Sequence, residues 1–275
     1  MKKLIIVGHS VCHLRQRLLG ETTAKLGVKT TVIGPRDWGD EHYDPYIKKN
    51  FFFRPLQLAG PPSFYSFNLK KFLRTLSMFR PATIYCMEEM FTLFARECIK
   101  HAKALRCPLW FFTWENKIGF RLDGEFDRIE QQAIRVADGI ICGNSLAMER
   151  MLKLGADKSK LFVLPQTGLN PDLFKNLNKE KVFDLVYHGR MVREKGLPFL
   201  ESVAKELELK MLWIGSRGQY HPRYGEHIEW TPYEELPELI NSAKIGIQIP
   251  FSYNGYCEQM NFSVGECCLA ELPVI

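Results

Sequence analysis

The amino-acid sequence predicts an α/β fold built from two parallel-sheet domains. Short apolar runs alternate with amphipathic stretches along the chain, and this alternation is typical of βαβ units with a parallel sheet. A segment at 165–181, rich in Pro, Gly, Asn and Lys, interrupts the pattern, which then starts again. We therefore expect a first domain at 1–168, a linker at 169–181 and a second domain at 182–275.

The first domain is predicted to contain six strands separated mostly by helices. Leu69, Phe72 and Leu76 recur at helical spacing. Pro81 and Pro108 each stand just before an apolar run, where a helix has ended and a strand begins. The predicted strands are 4–7, 28–33, 83–87, 109–113, 139–142 and 160–164. The predicted helices are one ending near residue 26, then 68–80, 91–105, 126–136 and 145–154.

The second domain repeats the alternation of strands and helices. Its predicted strands are 184–188, 210–214, 227–230, 245–249 and 273–275, and its predicted helices are 197–206, 232–242 and 263–269. The chain stops at the last strand, where a covering helix normally follows in a parallel sheet, so we expect the second domain to be incomplete. Together the two blocks predict Rossmann-like domains that face a cleft.

The composition excludes several classes of protein. With 275 residues, 46% hydrophobic and 25% charged, the chain is not a disordered one. No apolar run approaches the roughly 18 residues of a membrane span. The eight cysteines form no Cys-x-x-Cys pair and no cluster with histidines. We therefore expect reduced thiols in a cytoplasmic protein and no metal site.

The charge is unevenly distributed between the two halves. Residues 1–165 contain 26 Lys and Arg against 16 Asp and Glu. A basic half suits an anionic neighbour, whether a phosphate ligand, a nucleic acid or a membrane surface, but solvated helix faces explain it equally well. The helix at 68–80 carries cations beside an apolar stripe. This helix could make a peripheral contact with an anionic membrane. We favour the alternative, in which its apolar residues pack against the protein core and its cations face solvent.

Two cations follow the first strand of the second domain. Arg190 comes directly after the strand at 184–188, and Lys195 precedes the helix at 197–206. The carboxyl end of a parallel strand beside a helix N-terminus is where α/β proteins bind phosphate, because free backbone N–H groups, the helix dipole and fixed cations meet there. Taken alone, the same residues also fit a charged surface loop.

Two glutamates form a second signal further along the chain. Glu258 and Glu266 are spaced as Glu-x7-Glu across a predicted loop-to-helix junction, with Glu266 near the first helical turn. A carboxylate there accepts hydrogen bonds from the two hydroxyls of a ribose, and Glu258 in the preceding loop is placed to face a sugar. Such pairs are common on solvated surfaces, so it is the combination with Arg190 and Lys195 that is informative.

Six short segments, taken in order, match the motifs of one enzyme family. They are Phe-Arg-Pro-Ala-Thr-Ile-Tyr at 79–85, Val-Ala-Asp-Gly-Ile-Ile-Cys-Gly-Asn-Ser at 136–145, Leu-Pro-Gln-Thr-Gly-Leu-Asn-Pro-Asp-Leu-Phe at 164–174, His-Gly-Arg-Met-Val-Arg-Glu-Lys-Gly at 188–196, the pair Glu258 and Glu266, and Leu-Pro-Val-Ile at 272–275. In this order they resemble the retaining glycosyltransferases of family 4, which have the GT-B fold. The sequence departs from the family after Glu258, where Gln259-Met260-Asn261 replaces a Gly-rich stretch and leaves the donor sugar open.

The resemblance implies roles for residues on the donor side. A nucleotide-diphosphate sugar would be the co-substrate, with no other cofactor and no metal, because fixed cations and a helix N-terminus offset the charge of the departing diphosphate. It assigns Arg190, Lys195 and Gly8 to the donor diphosphate, Glu266, Trp230 and Thr231 to the ribose and base, and Glu258 to the donor sugar at the catalytic centre.

The acceptor side has weaker candidates. Trp114, Glu115 and Asn116 end a strand of the first domain, where the family often has a histidine. Glu115 would act as a base or bind an acceptor hydroxyl, and Trp114 would stack on a sugar ring. The alternative is that Trp114 is a core residue and Glu115 forms an ion pair. His9 is a lesser candidate in the loop at 8–12.

The resemblance implies a hexosyltransferase that acts in polysaccharide or lipopolysaccharide assembly. Its partners would be a nucleotide sugar and a carbohydrate or lipid-linked acceptor, at the inner face of the membrane. Two alternatives stay open: a sugar-nucleotide epimerase, and a non-catalytic nucleotide-binding or partner protein left by truncation. The loop at 8–12 lacks Gly-x-Gly-x-x-Gly, which argues against a dehydrogenase. No recognised nucleic-acid motif is present, so we expect no nucleic-acid partner.

Overall fold

The computed structural model describes residues 3–8, 14–38, 41–42, 51–59, 66–67, 69–79, 82–165, 169–216, 218–250, 258 and 261–275. The chain divides into two compact units, Met1–Gly168 and Leu169–Ile275. Each unit is built around its own parallel sheet, one of seven strands and one of four. The predicted fold class, α/β with two parallel sheets, is confirmed.

The first unit alternates strands and helices as predicted. Its strands are β1 (Lys3–Val7), β2 (Lys29–Pro35), β3 (Asp37–Trp38), β4 (Glu41–His42), β5 (Phe52–Leu56), β6 (Leu58–Ala59), β7 (Ser66–Phe67), β8 (Thr83–Cys86), β9 (Leu109–Thr113), β10 (Gly139–Cys142) and β11 (Leu161–Val163). Its helices are α1 (Leu14–Lys25), α2 (Leu69–Phe79), α3 (Leu93–Leu105), α4 (Gly124–Val136) and α5 (Ser145–Lys153). The seven-stranded sheet has the order β11-β10-β9-β8-β1-β2-β5, and the short strands form two antiparallel ribbons, β3-β4 and β6-β7.

Strand β1 lies in the middle of this sheet and is buried on both faces. Ile5, Ile6 and Val7 are at most 1% exposed. Ile5 and Val7 belong to one apolar cluster, whereas Ile6 belongs with Val32 to a second one, as the alternation of side chains along a strand requires. Such continuous apolar runs are typical of parallel strands that are covered on both faces.

One strand of the large sheet was not predicted from the sequence. Strand β5 pairs with β2 at the edge of the sheet, and Phe53 and Leu56 on it are buried. The strand contains Pro55, which lacks an N–H group and therefore weakens a strand prediction. An edge position tolerates this proline, because one side of an edge strand has no neighbour that needs a donor.

Helix α2 shows which side chains of the basic stretch face the core of the first unit, among those that the structure describes. Phe72 and Leu76 are at most 1% exposed and belong to the core, while Lys71 and Arg74 are exposed. The interpretation that the apolar stripe faces the core is therefore confirmed. Within the described part of the chain, every helix falls short of the length and apolarity that a membrane span requires.

The second unit has a smaller sheet with the order β14-β13-β12-β15. Its strands are β12 (Phe183–His188), β13 (Met211–Ile214), β14 (Glu226–Ile228) and β15 (Ala243–Gly246), and its helices are α6 (Leu197–Glu206), α7 (Leu236–Ile240) and α8 (Phe262–Leu269). The predicted strand at 273–275 is only a single parallel bridge between Gly246 and Val274. The predicted helix at 232–242 is shorter because Pro237 lacks the N–H group that a helix interior requires, and the helix starts at Leu236 with Pro237 in its first turn.

The segment predicted as a linker, 169–181, folds onto the second unit. Phe174 is 1% exposed and belongs to the core of that unit. The fully buried Asn241 holds the same segment, since its Oδ1 accepts the Leu177 N–H at 2.9 Å and its Nδ2 donates to the Lys175 carbonyl at 3.0 Å.

The described cysteines are free thiols, as the sequence predicts. Cys86, Cys98, Cys142 and Cys267 are buried, Cys107 is partly buried and Cys268 is exposed. Burial raises the pKa of the Cys142 thiol to about 12, so this thiol stays protonated near neutral pH. The other two cysteines, at 12 and 257, lie outside the described residues.

Candidate functional site

The carboxyl edge of the four-stranded sheet is held together by close backbone approaches. Strand β12 is followed by Gly189, whose N–H donates to the Ile214 carbonyl at 2.9 Å, at the end of β13. Gly215 follows β13, and a Cβ atom there would overlap with the carbonyl oxygen of Gly189. Only glycine allows this packing, which brings the ends of the two strands together.

The turn that leads into α6 places Lys195 beside a helix N-terminus. Residues Arg193–Lys195 form one 3-10 turn, and Gly196 follows with a left-handed φ of 73°. A Cβ atom on Gly196 would overlap with the carbonyl oxygen of Ile249, so glycine is required twice over. Helix α6 then begins at Leu197, and its first N–H groups carry the partial positive charge of the helix dipole.

Arg190 lies exposed at the same edge. Its backbone carbonyl accepts a hydrogen bond from the Tyr187 hydroxyl at 2.9 Å, which fixes the start of the loop. Burial raises the pKa of Tyr187, so the hydroxyl remains a donor. Among the described residues, no carboxylate lies within ion-pair distance of the Arg190 guanidinium.

Lys195 and Glu258 meet, although 63 residues separate them in the sequence. The Lys195 ammonium forms an ion pair with the Glu258 carboxylate, and the two side chains are 11% and 20% exposed. The residue predicted to hold a diphosphate therefore already has an anionic partner, with which a bound phosphate would compete.

Glu266 is completely buried in helix α8. Its Oε2 atom lies 2.8 Å from Nε2 of His188, and its Oε1 accepts the Tyr233 hydroxyl at 2.9 Å. Glu266 is the fifth residue of α8, because the helix begins at Phe262, one residue earlier than predicted. Both of its oxygens have protein partners, and its role toward a ribose stays a prediction.

His188 and Tyr233 were not among the predicted site residues. His188 is the last residue of β12 and is 3% exposed, and its carbonyl accepts the Ser263 hydroxyl at 2.8 Å. Its Nδ1 atom is buried and has no partner among the described residues. A polar residue at the carboxyl end of an otherwise apolar strand was the signal available in the sequence. Arg190, Lys195, Glu258 and Glu266 are called the carboxyl-edge cluster below.

The predicted base-binding residues follow β14, the outer strand of the same sheet. Trp230 is 77% exposed and lies beyond the end of the strand, which the sequence predicts to run to 230. The Thr231 hydroxyl donates to the Pro232 carbonyl at 3.5 Å. The exposed indole is free to stack on a ligand, and the assignment of both residues stays a prediction.

Gly8 is the first residue after β1 in the first unit. Its N–H donates to the Ile33 carbonyl at 3.1 Å, and a Cβ atom on it would lie 2.9 Å from Cβ of Met87. Glycine therefore allows the ends of β1 and β8 to pack closely. His9 lies outside the described residues, and its assignment to the acceptor side stays a prediction.

Trp114, Glu115 and Asn116 follow β9 at the carboxyl edge of the seven-stranded sheet. The Trp114 ring packs edge-on against Phe112 with centroids 4.9 Å apart, and it covers Gly143, where a Cβ atom would lie 2.7 Å from the indole. Trp114 and Glu115 are partly buried, and Asn116 is 6% exposed. The Glu115 carboxylate accepts the Lys117 N–H at 2.9 Å.

A carboxyl group that was not predicted from the sequence lies against this segment. Glu89 follows β8, and its Oε1 accepts the N–H groups of Trp114 at 2.6 Å and Glu115 at 3.1 Å. Burial raises the pKa of Glu89 from its usual 4.5 to about 7, although hydrogen bonds from Thr113 and Trp114 favour the ionised form. The signal in the sequence was a glutamate just beyond an apolar strand, the same position that drew attention to Glu115.

The described residues contain no group of three or more His, Cys, Asp and Glu side chains arranged to hold a metal ion. The charges at the carboxyl edges of the two sheets belong to side chains and, in the second unit, also to the N-terminus of α6. These groups can bind an anion and can orient a hydroxyl group for proton transfer.

Comparison with known proteins identifies relatives by structure only. No family model and no curated protein matches the sequence. The sucrose-phosphate synthase of Thermosynechococcus elongatus matches with a TM-score of 0.74 at 14% identity, over 100% of this chain and 80% of that chain. HepE of Anabaena, solved with UDP-glucose, gives 0.70 at 11%, again over 100% and 80%. A UDP-N-acetylglucosamine 2-epimerase from Rickettsia bellii gives 0.59 at 11%, over 100% and 78%. The chain thus shares its two-sheet α/β fold with the sucrose-phosphate synthase, with HepE and with the epimerase.

Proposed function

We propose that this protein is a retaining glycosyltransferase of the family 4 type, which moves a sugar from a nucleotide-diphosphate donor to an acceptor hydroxyl. One observation carries the proposal. The segments 188–196 and 258–266, which the motif resemblance assigns to one donor site, meet at two points, through Lys195 with Glu258 and through His188 with Glu266. The likeness in fold to enzymes such as sucrose-phosphate synthase and HepE supports the same function.

In this proposal the second unit binds the donor. Arg190, Lys195 and the N-terminus of α6 offset the negative charge that builds up on the diphosphate as its bond to the sugar breaks. The diphosphate takes the place of Glu258 beside Lys195, and Glu258 then turns to the hydroxyl groups of the sugar. His188 and Tyr233 hold Glu266 in one orientation. A ribose diol would reach Glu266 by replacing one of these two partners.

The transfer step needs a bond to break, a bond to form and a proton to move. The nucleoside diphosphate leaves the anomeric carbon with the bonding electron pair, and the acceptor oxygen forms the new bond on the same face of the sugar. The proton of the acceptor hydroxyl passes to a base, and Glu115 is the candidate for this role. Trp114 and Asn116 would contact the acceptor, which we propose to be a carbohydrate or a lipid-linked sugar.

A uridine nucleotide is the first donor to test, because HepE was solved with UDP and with UDP-glucose. The biological setting that we propose is polysaccharide or lipopolysaccharide assembly, with peripheral contact at the inner face of a membrane. This assignment rests on the motif resemblance.

The experiment is to incubate the protein with nucleotide sugars, alone and with a panel of mono- and disaccharide acceptors, and to measure free nucleoside diphosphate. A transferase releases it much faster when an acceptor is present. An epimerase interconverts the donor sugar without any acceptor, and a non-catalytic binding protein does neither. Nuclear magnetic resonance of the product then reports the anomeric configuration, which should match that of the donor. Either of the other two patterns would contradict the proposal.

A further inference from the structure

Glu89 makes three hydrogen bonds to three consecutive residues at the carboxyl edge of the first unit. Its Oε1 accepts the N–H groups of Trp114 and Glu115 at 2.6 and 3.1 Å, and its Oε2 accepts the Thr113 hydroxyl at 2.8 Å. One carboxyl group thus binds the last residue of β9 and the first two residues beyond it. These last two residues include the candidate base Glu115 and the candidate stacking residue Trp114.

The charged and titratable groups around Glu89 come from three elements. Glu115 follows β9, Arg150 lies on α5 and Cys142 ends β10. Repulsion from the Glu115 carboxylate adds to the effect of burial in raising the pKa of Glu89, while Arg150 opposes it. Arg150 is itself bound at both outer nitrogens by Glu130, so it offers Glu89 only partial compensation. The Cys142 thiol is uncharged near neutral pH.

We propose that Glu89 is a positioning residue for the proposed acceptor site, where its side chain holds Thr113, Trp114 and Glu115 in the arrangement that receives the acceptor hydroxyl. This proposal rests on the transferase function proposed above, and it adds a residue that neither the motif resemblance nor the comparisons assign. Glu89 acts through the segment that it holds and does not itself touch the sugar.

The neutral carboxyl group keeps all three contacts without placing a charge beside Glu115, whereas the carboxylate strengthens the hydrogen bonds but repels Glu115. A neutral Glu89 still accepts both N–H groups at Oε1. Its protonated Oε2 can donate to the Thr113 hydroxyl oxygen, so that Glu89 becomes the donor and Thr113 the acceptor in that hydrogen bond. An ionised Glu89 would place a second negative charge beside Glu115, and the two carboxylates would repel each other. We therefore expect the segment to lose its active arrangement as the pH rises past about 7, where Glu89 loses its proton.

Amide hydrogen exchange tests the positioning without any substrate. We expect the Trp114 and Glu115 amides to be protected in the wild type and in Glu89→Gln, whose amide oxygen can still accept both bonds. In Glu89→Ala, or in the shorter Glu89→Asp if the first variant does not fold, they should exchange at least about tenfold faster. Asp138→Ala is the matched control, because Asp138 accepts the Leu109 N–H at 2.8 Å at the other end of β9. Its effect should be confined to that end. Equal protection in all variants would overturn the proposal.

The pH dependence of turnover separates positioning from a purely structural role. The probe is release of UDP from UDP-glucose with water as the acceptor, between pH 5.5 and 8.5. The wild-type rate should fall above pH 7, and the Glu89→Gln rate should stay flat. The Glu115→Gln rate should be lower throughout and should lose most of the fall, because the charge that repels an ionised Glu89 is gone. A fall in Glu89→Gln equal to that of the wild type would overturn the proposal. If the wild type does not turn over UDP-glucose, UDP-glucose is not its donor, and the exchange experiment alone decides on Glu89.

Discussion

At the scale of single residues, the ion pair between Lys195 and Glu258 both joins two distant segments and neutralises a cation. The pair joins a turn at the start of α6 to a residue 63 positions later, and it neutralises a cation that the proposed donor diphosphate requires. Both side chains are largely buried yet retain some contact with solvent, so a doubly charged phosphate group can reach Lys195 and compete with Glu258 for it.

This competition predicts that Glu258→Gln binds free UDP more tightly than the wild type does. Because this pair is mostly buried, the competing attraction is at least the roughly 1 kcal/mol that an exposed pair reaches, so the affinity should rise by about fivefold or more, as measured by titration calorimetry. Glu194→Gln is the matched control, since Glu194 lies in the same turn and does not pair with Lys195. Weaker UDP binding by Glu258→Gln, or an equal gain in Glu194→Gln, would contradict the competition.

Helices α4 and α5 show at the scale of elements how a buried charge pair joins two parts of the first unit. Arg150 donates to both oxygens of Glu130 at 2.9 and 3.0 Å, and the two side chains are 1% and 2% exposed. The guanidinium also lies 5.5 Å from the centre of the Phe120 ring, in the segment between β9 and α4. Each charge therefore depends on the other for its solvation.

Breaking this pair from one side should destabilise the first unit strongly. Glu130→Gln leaves the buried Arg150 charge uncompensated, and we expect a loss of about 3 kcal/mol in chemical denaturation. The double variant Glu130→Leu, Arg150→Met removes both charges and should lose less than the single variant. A double variant that is less stable than Glu130→Gln would show that the attraction itself outweighs the cost of burying the charges.

The start of α6 provides a second prediction at this scale. Gly196→Ala introduces a Cβ atom that overlaps with the Ile249 carbonyl oxygen, in addition to the strain of a left-handed φ. Gly155→Ala is the matched control, because Gly155 has a φ of 89° but open space around it. We expect Gly155→Ala to cost about 1 kcal/mol and Gly196→Ala at least about 2 kcal/mol more, measured by thermal unfolding. Equal losses of stability in the two variants would contradict this, because they would mean that the backbone around Gly196 relaxes to accommodate the Cβ atom.

Most strands were predictable because a buried parallel strand is a continuous apolar run, as in β1 and β9. Strand β5 was missed because its proline contradicts the pattern, and the end of β14 was overestimated because Trp230 is apolar in character yet 77% exposed. Composition alone does not reveal which end of an apolar run lies outside the sheet.

The candidate site was predictable only in part, and for a physical reason. Arg190, Lys195, Glu258 and Glu266 lie in motifs that resemble those of a known family, so their assignment to one site follows from that resemblance. Glu89, His188 and Tyr233 act through contacts with residues that are distant in the sequence, and no spacing rule encodes such contacts. Their signal is weaker: a polar side chain at or just beyond the carboxyl end of a strand, or in the loop before a helix.

For the whole molecule, the raised pKa of Glu89 predicts how stability depends on pH. The folded state keeps the Glu89 proton up to about pH 7, whereas the unfolded chain loses it near 4.5. The stabilisation that this proton provides is complete below pH 4.5 and is lost as the pH rises from 4.5 to 7. Compared with Glu89→Gln, which has no proton to lose, the wild type should therefore become progressively less stable across this range in urea denaturation. Parallel pH profiles of the two proteins would contradict the assignment.

The central claim for the whole molecule is that the carboxyl-edge cluster of the second unit binds a nucleoside diphosphate. The most direct test is thermal stabilisation by a panel of nucleoside diphosphates, with Arg190→Ala as the control, because a ligand that binds only the folded protein raises its melting temperature. The account predicts a shift with UDP that is abolished or strongly reduced in Arg190→Ala, whose exposed side chain can be removed without disturbing the core. No shift with any nucleotide, or an equal shift in Arg190→Ala, would contradict it.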